Sequence, residues 1–375
     1  MKIKIMGAGL TGCSLARMLA DAGHDVVMHE QLPVIGGLCR TEVNPDGLLF
    51  EPCGARTFHT SISHVWDFVK KFATFNGYIH HKGTIVNGMV LSFPISMHVI
   101  EMLPQRRQIE GELAKRPDKP DTTNFETYSV SVFGPTLYRL FIENYTRKMW
   151  GIEPRQLAAS WAPKRLELRE GEGDELFAGQ WQGLPVGGYT VFLENMVAGI
   201  RSVMSSTDAG AAGFDIVVSS APIDALLNYR FGKLPYRSLR FDYARDGPWE
   251  DERYGTINLP GAETKYIRKA NFKILHQQRS EHNYIQYQEP IAYNGTNIPM
   301  YPINTPENDV LFDRYLKEVV KSPKLIPTGR LGLYKYLDMD KAVAVSFKLA
   351  SLIEEYPGLD AKSRHARIAA MLAKF

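Results

Sequence analysis

Cysteine is scarce in this chain: Cys13, Cys39 and Cys53 are the only three in 375 residues. They form no C-x-x-C pair and are odd in number, which argues against both a disulfide framework and a cysteine zinc site. No apolar run is long enough to cross a bilayer, and no basic-plus-apolar leader precedes the first strand-like segment. A soluble, cytoplasmic protein is the expectation. Charge of one sign is also lacking, since the net value is +3. That argues against a general nucleic-acid binder and leaves room for a local basic pocket for phosphates. Internal repeats and low-complexity tracts are absent. What remains is 44% hydrophobic, sufficient for a sizeable core in two or three domains.

The most informative local pattern is Gly7-Ala8-Gly9-Leu10-Thr11-Gly12, a G-x-G-x-x-G turn close behind the apolar segment Lys2–Met6. Gly7 permits the tight turn, and Gly9 lets backbone N–H groups approach a pyrophosphate. Gly12 allows close packing of the following helix, whose positive N-terminus faces that anion. A second apolar run, Asp25-Val26-Val27-Met28-His29, ends at Glu30, where a carboxylate accepts from ribose hydroxyls and favours an unphosphorylated ribose. Bare glycine-rich turns also arise for steric reasons alone, but strand, turn, helix, strand and acid in this order point to NAD or FAD. The pair Gly36–Gly37 behind the acid resembles flavoproteins of the amine-oxidase type, which tips the choice to FAD.

Elsewhere the pattern predicts a helix over 63–72 and a hairpin about Asn87–Gly88 within 85–93. Predominantly helical sequence follows from Met97 to about residue 180, with Pro135 starting a helix that aligns Tyr138, Phe141, Ile142 and Tyr145. Ile216–Val218 reads as a strand returning to a parallel sheet, and Met339–Glu355 as a terminal helix. The expected fold is α/β: a Rossmann-like FAD-binding domain built from both chain ends (1–75, 189–228 and 325–375), an inserted helical substrate and oligomer domain (97–182), and an antiparallel-sheet substrate domain (76–96 and 229–324).

The run Tyr145-Thr146-Arg147-Lys148-Met149-Trp150-Gly151 resembles the UDP-galactopyranose mutase family, as do Gly54–Ala55 with Phe58-His59-Thr60, Lys164–Arg165, Gln182–Thr190, Tyr236–Leu239, Tyr266-Ile267-Arg268, Tyr301–Pro302, Gly329-Arg330-Leu331 and Tyr334–Met339. The resemblance implies an isomerase in which reduced FAD acts through N5 as a nucleophile on the anomeric carbon, displacing UDP while the sugar ring opens and recloses, with no net oxidation. It implies Arg165 and Arg268 as cations on the departing diphosphate, with His59 in the same catalytic group. Arg237 supports the nucleotide, Tyr145, Tyr301 and Tyr336 supply hydroxyls or stack on uracil, and Trp150 belongs to the uridine-bearing helix. Phe177, Asp338 and His81 are further substrate contacts. The cofactor set becomes Gly7, Gly9, Gly12, Glu30, Gly36, Gly37, Arg56, Arg330, Asp338 and Met339. A nucleotide-sugar partner, no metal and a homodimer complete the expectation.

Read without the resemblance, these residues have plainer roles. Tyr145 sits on an apolar stripe and reads as core, while Arg165 beside Lys164 and Arg268 beside Lys269 read as solvated faces. Asp338 is a natural N-cap, and His80 with His81 reads as a surface pair. The sequence also departs from the family pattern. Arg56 stands where a histidine is usual, Leu176–Phe177 replaces an aromatic pair, and 199–214 is Ala/Gly/Ser-rich where relatives carry a strand. These departures leave open another UDP- or dTDP-sugar, an FAD-dependent oxidase or lyase acting on a nucleoside-containing substrate, and an inactive nucleotide-sugar binder.

Overall fold

The computed structural model describes residues 1–159, 168–171, 174–208 and 210–374. Its nucleotide-binding part is a five-stranded, all-parallel sheet in the order Arg201–Val203, Asp25–His29, Lys2–Met6, Ile216–Ser219, Leu325–Pro327. The central strands are nearly unbroken apolar runs, with Ile3, Ile5, Val26, Met28, Ile216 and Val218 in one core, as expected where helices cover both faces of a parallel sheet. Helix Leu10–Asp21 leaves the first strand and lies against helix Met339–Ile353, where Ser346 Oγ donates to the Thr11 carbonyl at 3.1 Å. Both ends of the sequence thus meet on this sheet. The Ala/Gly/Ser-rich stretch still contributes the edge strand Arg201–Val203, because pairing with Asp25–His29 supplies what its composition does not.

The second sheet has seven strands, ordered Tyr301–Pro302, Tyr236–Arg245, Tyr284–Ala292, Arg268–Asn271, Thr256–Asn258, Lys82–Val86, Met89–Phe93. All its neighbours are antiparallel except Thr256–Asn258 with Lys82–Val86. The expected hairpin is present: Asn87 and Gly88 take φ of 51° and 75°, the two left-handed residues a tight two-residue turn requires.

A separate core joins this hairpin to the helices, with Val86, Leu91, Phe125, Phe133, Leu137, Tyr138, Phe141 and Ile142 buried together. Asn124 starts helix Phe125–Leu137 through a reciprocal capping box with Thr127. Gly134 breaks it at φ 75°, ψ 160°. Pro135 restarts the helical path as its sequence position suggests, and Glu112 receives the Thr136 N–H at 2.9 Å and hydroxyl at 2.7 Å. A π-helical turn, Tyr138–Glu143, then rotates the following helix Asn144–Trp150. The region before residue 183 is not helical throughout: Leu168–Arg169 and Trp181–Gly183 are extended, the latter pairing with Phe58–Thr60.

Candidate active site

Between the sheets and the helical segment lies a cavity of about 680 Å³. Strand Arg268–Asn271 delivers Arg268, the neighbouring strand Asn258, and helix Asn144–Trp150 closes one side with Tyr145, Thr146, Met149 and Trp150. Gly54–Thr57, Tyr301, Arg330, Tyr336, Asp338 and Met339 form the end nearer the parallel sheet.

Arg268 donates to the Tyr145 hydroxyl at 2.9 Å and to Asn258 Oδ1 at 3.3 Å. Burial works against its charge, but Tyr145, Tyr301 and Tyr336 outweigh that cost and hold its pKa above the usual arginine value. The apolar-stripe reading of Tyr145 therefore describes only part of its setting. Phe177 stacks on His59 with ring centres 3.7 Å apart and planes 11° from parallel. Tyr301 and Tyr336 are also near parallel, at 5.9 Å and 8°, with the Arg330 guanidinium 5.3 Å and 4.6 Å from their ring centres. Arg330 spends two donors on the carbonyls of Met300 and Leu337.

Arg56 faces inward rather than to solvent. Its Nε donates to Gly54 O at 3.1 Å and its terminal nitrogen to Cys53 O at 2.6 Å, which folds the guanidinium along the cavity wall. Asp338 occupies the N-cap position of helix Met339–Ile353, yet its carboxylate does not cap that helix and lines the cavity instead. Among the described lining residues, Arg56, Lys82, Arg268 and Arg330 are cationic and Asp338 is the single carboxylate. Such a surplus suits a multiply charged anion.

Two expected contacts lie elsewhere. His81 does not line the cavity: its Nδ1 meets Asp174 Oδ1 at 2.9 Å on the other side of the chain. Extended backbone sends successive side chains to opposite faces, so His80 is the inward member of the pair. Its Nδ1 and Nε2 bond the hydroxyls of Thr57 at 2.8 Å and Thr256 at 2.9 Å. Burial, with Lys82 and Arg268 close by, pushes this imidazole well below its ordinary range and keeps it neutral. Arg237 is likewise outside the cavity lining, because its guanidinium is drawn to the carbonyls of Met149 and Lys148 at 2.7 Å and 3.1 Å. Arg165 falls outside the described residues. Thr57, His80, Lys82, Asn258 and Gln288 line the cavity without having been assigned from the sequence. The alternation that pairs His80 with Lys82 was the available signal.

At the glycine turn, Gly7 has φ +103°, and a Cβ on Gly12 would stand 1.9 Å from the Gly7 carbonyl oxygen. A Cβ on Gly9 would meet nothing within 4 Å, so the space above the turn is open. Glu30 accepts the Ala8 N–H at 2.6 Å and the Leu32 N–H at 2.9 Å, leaving lone pairs for ribose hydroxyls. Gly36 donates to Ala8 O at 2.9 Å, which seats the second glycine pair, Gly36–Gly37, against the turn. An open backbone cradle, a helix N-terminus and a positioned acid fit an adenine dinucleotide.

A family model for UDP-galactopyranose mutase matches residues 140–336, and one for an NAD(P)-binding Rossmann-like domain matches 5–72. A probable UDP-galactopyranose mutase of Klebsiella pneumoniae is 31% identical over 361 residues, covering 93% of each chain. The chain belongs to the UDP-galactopyranose mutase family. Another mutase relative, the UDP-galactopyranose mutase of Mycoplasma pneumoniae, is 30% identical over 389 residues, 92% of this chain and 94% of the relative. The dTDP-fucopyranose mutase of Escherichia coli is 28% identical over 378 residues, with 94% and 98% covered. A crystal structure of reduced UDP-galactopyranose mutase shares the fold at a TM-score of 0.80, covering 99% of this chain and 98% of that one at 16% identity. Among the described residues no helix is long and apolar enough to cross a membrane, and no His, Cys, Asp or Glu group is arranged to hold a metal ion.

Proposed function

We propose that this protein interconverts the pyranose and furanose forms of a nucleotide sugar, using FAD in its reduced state and consuming no reductant per turnover. The observation that carries the reading is the cationic cavity, opening between the aromatic helix Asn144–Trp150 and the wall formed by Arg56, Arg330 and Met339. Gly7, Gly9, Gly12, Glu30, Gly36 and Gly37 would hold the adenine dinucleotide, and Arg56, Arg330, Asp338 and Met339 would hold the flavin end of the same cofactor. When bound, reduced flavin would supply the nucleophile for the anomeric carbon.

The protein's own work is electrostatic and positional. Tyr145, Thr146 and Trp150 receive the nucleoside. Arg268, held by Tyr145 and Asn258, meets the departing diphosphate with forked donors, and Arg165 is assigned to the same anion. Such cations act more strongly against the partly buried wall of the cavity than they would in open water. His80, neutral and with both ring nitrogens taken by the hydroxyls of Thr57 and Thr256, holds that part of the cavity wall in place without adding charge. His59, held against Phe177, borders the same space.

The test is the product formed from UDP-galactofuranose by dithionite-reduced and by oxidised enzyme. UDP-galactopyranose from reduced enzyme alone, with no hydrogen peroxide, is expected. Equal turnover by oxidised enzyme would overturn the mechanism, and peroxide formation would favour an oxidase. Leu176 supports a second reading within the same class. It places an apolar side chain on the cavity wall, compatible with a 6-deoxy sugar such as that named for the Escherichia coli relative. Faster turnover of dTDP-fucofuranose than of UDP-galactofuranose would select that sugar.

A further inference from the structure

Lys148 lies on the helix whose Tyr145, Thr146, Met149 and Trp150 line the cavity, but it is not itself a lining residue. Its ammonium reaches the connection between strands Thr256–Asn258 and Arg268–Asn271. There it donates to the carbonyls of Leu259 at 2.7 Å, Gly261 at 2.6 Å, Thr264 at 3.1 Å and Tyr266 at 2.8 Å. An ammonium carries three protons, so four acceptors surround it as they would a bound cation. The caged segment joins Asn258 directly to Ile267 and Arg268, all three of which line the cavity.

The same helix is held from its C-terminal end. Arg237, on strand Tyr236–Arg245, donates to the carbonyls of Lys148 and Met149. Gly151 ends the helix at φ 68°, and a Cβ there would come within 2.7 Å of the Arg237 guanidinium. The helix is therefore tied to the seven-stranded sheet by two cations, neither of which lines the cavity. The Arg268–Tyr145 contact crosses between the tied parts.

We propose that Lys148 is a positioning residue that, together with Arg237, fixes the nucleotide-facing helix against the Arg268 strand so that the two walls of the cavity act as one unit. This rests on the reading that the cavity takes a nucleotide sugar. Lysine suits the task because its compact charge and flexible stem let four carbonyls converge on one atom, which the planar arginine fork does not allow. Burial costs the charge, pushing Lys148 down to about 8 with Glu263 opposing the shift. The surrounding carbonyl oxygens also favour the protonated form. An ammonium kept at that cost is accounted for by what it gathers.

The experiment is Lys148→Met in the flavin-loaded protein, with UDP as the probe. Loss of the clamp should raise the UDP Kd and the sugar-nucleotide KM roughly tenfold, as for a competent wall spacing populated about a tenth of the time. Flavin content should be unchanged and kcat should stay within about threefold, a split that general damage would not give. Lys265→Met, on the same connection but facing Glu289 at 2.9 Å, should leave the UDP Kd unaltered. A folded Lys148→Met protein with wild-type UDP affinity overturns the proposal. Should that variant not fold, amide exchange in the wild-type holoprotein decides: UDP must slow exchange across 259–267, and unchanged exchange overturns the clamp. Failure of the wild-type holoprotein to bind UDP would instead bring down the nucleotide-sugar reading, and this inference with it.

Discussion

The glycine turn at Gly7–Gly12 and the cavity around Arg268 are both built to meet anions, by opposite means. The turn offers backbone N–H groups and a helix N-terminus within one continuous segment. The cavity uses guanidinium, ammonium and hydroxyl groups brought from the seven-stranded sheet, the Gly54–Thr57 segment, the helical segment and the far end of the sequence. Backbone donors are indifferent to side-chain identity so long as nothing obstructs them, whereas the cavity depends on each side chain separately. The first should therefore fail through added bulk and the second through lost charge.

The sharpest division should come from Gly9→Val. The new side chain enters open space rather than protein, so the fold should survive while the flavin is lost completely, seen as a colourless protein with native circular dichroism. Gly12→Ala, whose Cβ would sit 1.9 Å from the Gly7 carbonyl oxygen, should lose the fold as well. A folded Gly9→Val protein with full flavin would remove the distinction.

Arg268→Ala should do the reverse, retaining flavin while kcat/KM falls about 10²- to 10³-fold, the usual loss when one charge-stabilising donor is removed. Its partners Tyr145 and Asn258 would remain, so stability should change much less than turnover. Steady-state kinetics beside the flavin absorbance spectrum checks both halves. Loss of flavin would assign Arg268 to the architecture instead.

The smallest effect concerns His80 and His81. Because the folded protein depresses the His80 pKa, the unfolded chain binds the extra proton first as pH falls. The stabilisation is complete above the ordinary histidine pKa of about 6.5 and is lost as pH falls from there toward the folded value, at up to about 1.4 kcal/mol per pH unit. His80→Asn should flatten that acid limb in thermal melts between pH 7 and pH 5, as pH settings chosen around that window. His81→Asn, removing a half-exposed pair with Asp174, should change stability by less than about 1 kcal/mol. Equal acid limbs in wild type and His80→Asn would count against the buried neutral imidazole.

The same contrast explains what was legible in the sequence. The glycine turn, the Asn87–Gly88 hairpin and the Pro135 helix start are written in neighbouring residues whose conformational demands are local, and all three are present. The cavity is a product of register. Whether His80 or His81 faces inward depends on strand parity, and Arg237 serves the helix because its guanidinium meets the carbonyls of Lys148 and Met149. A π-helical turn also changes which residues Asn144–Trp150 presents, and periodicity of 3.6 does not foresee it. Resemblance to the family named most of the cavity residues, since it carries the outcome of tertiary packing that local patterns leave out.

The parallel sheet has a further consequence for how the chain is made. Lys2–Met6 leaves the ribosome well before its neighbour Ile216–Ser219, which follows some two hundred residues later, and Leu325–Pro327 comes later still. Until Ile216–Ser219 is made the strand has only Asp25–His29 beside it, and its other edge is unpaired, the kind of exposed hydrogen-bonding edge that recruits foreign strands. The seven-stranded sheet can assemble once Tyr301–Pro302 is out, before the nucleotide-binding sheet has its final strand. Of the five strands of that sheet, Lys2–Met6 is made before the other four and waits longest for a neighbour.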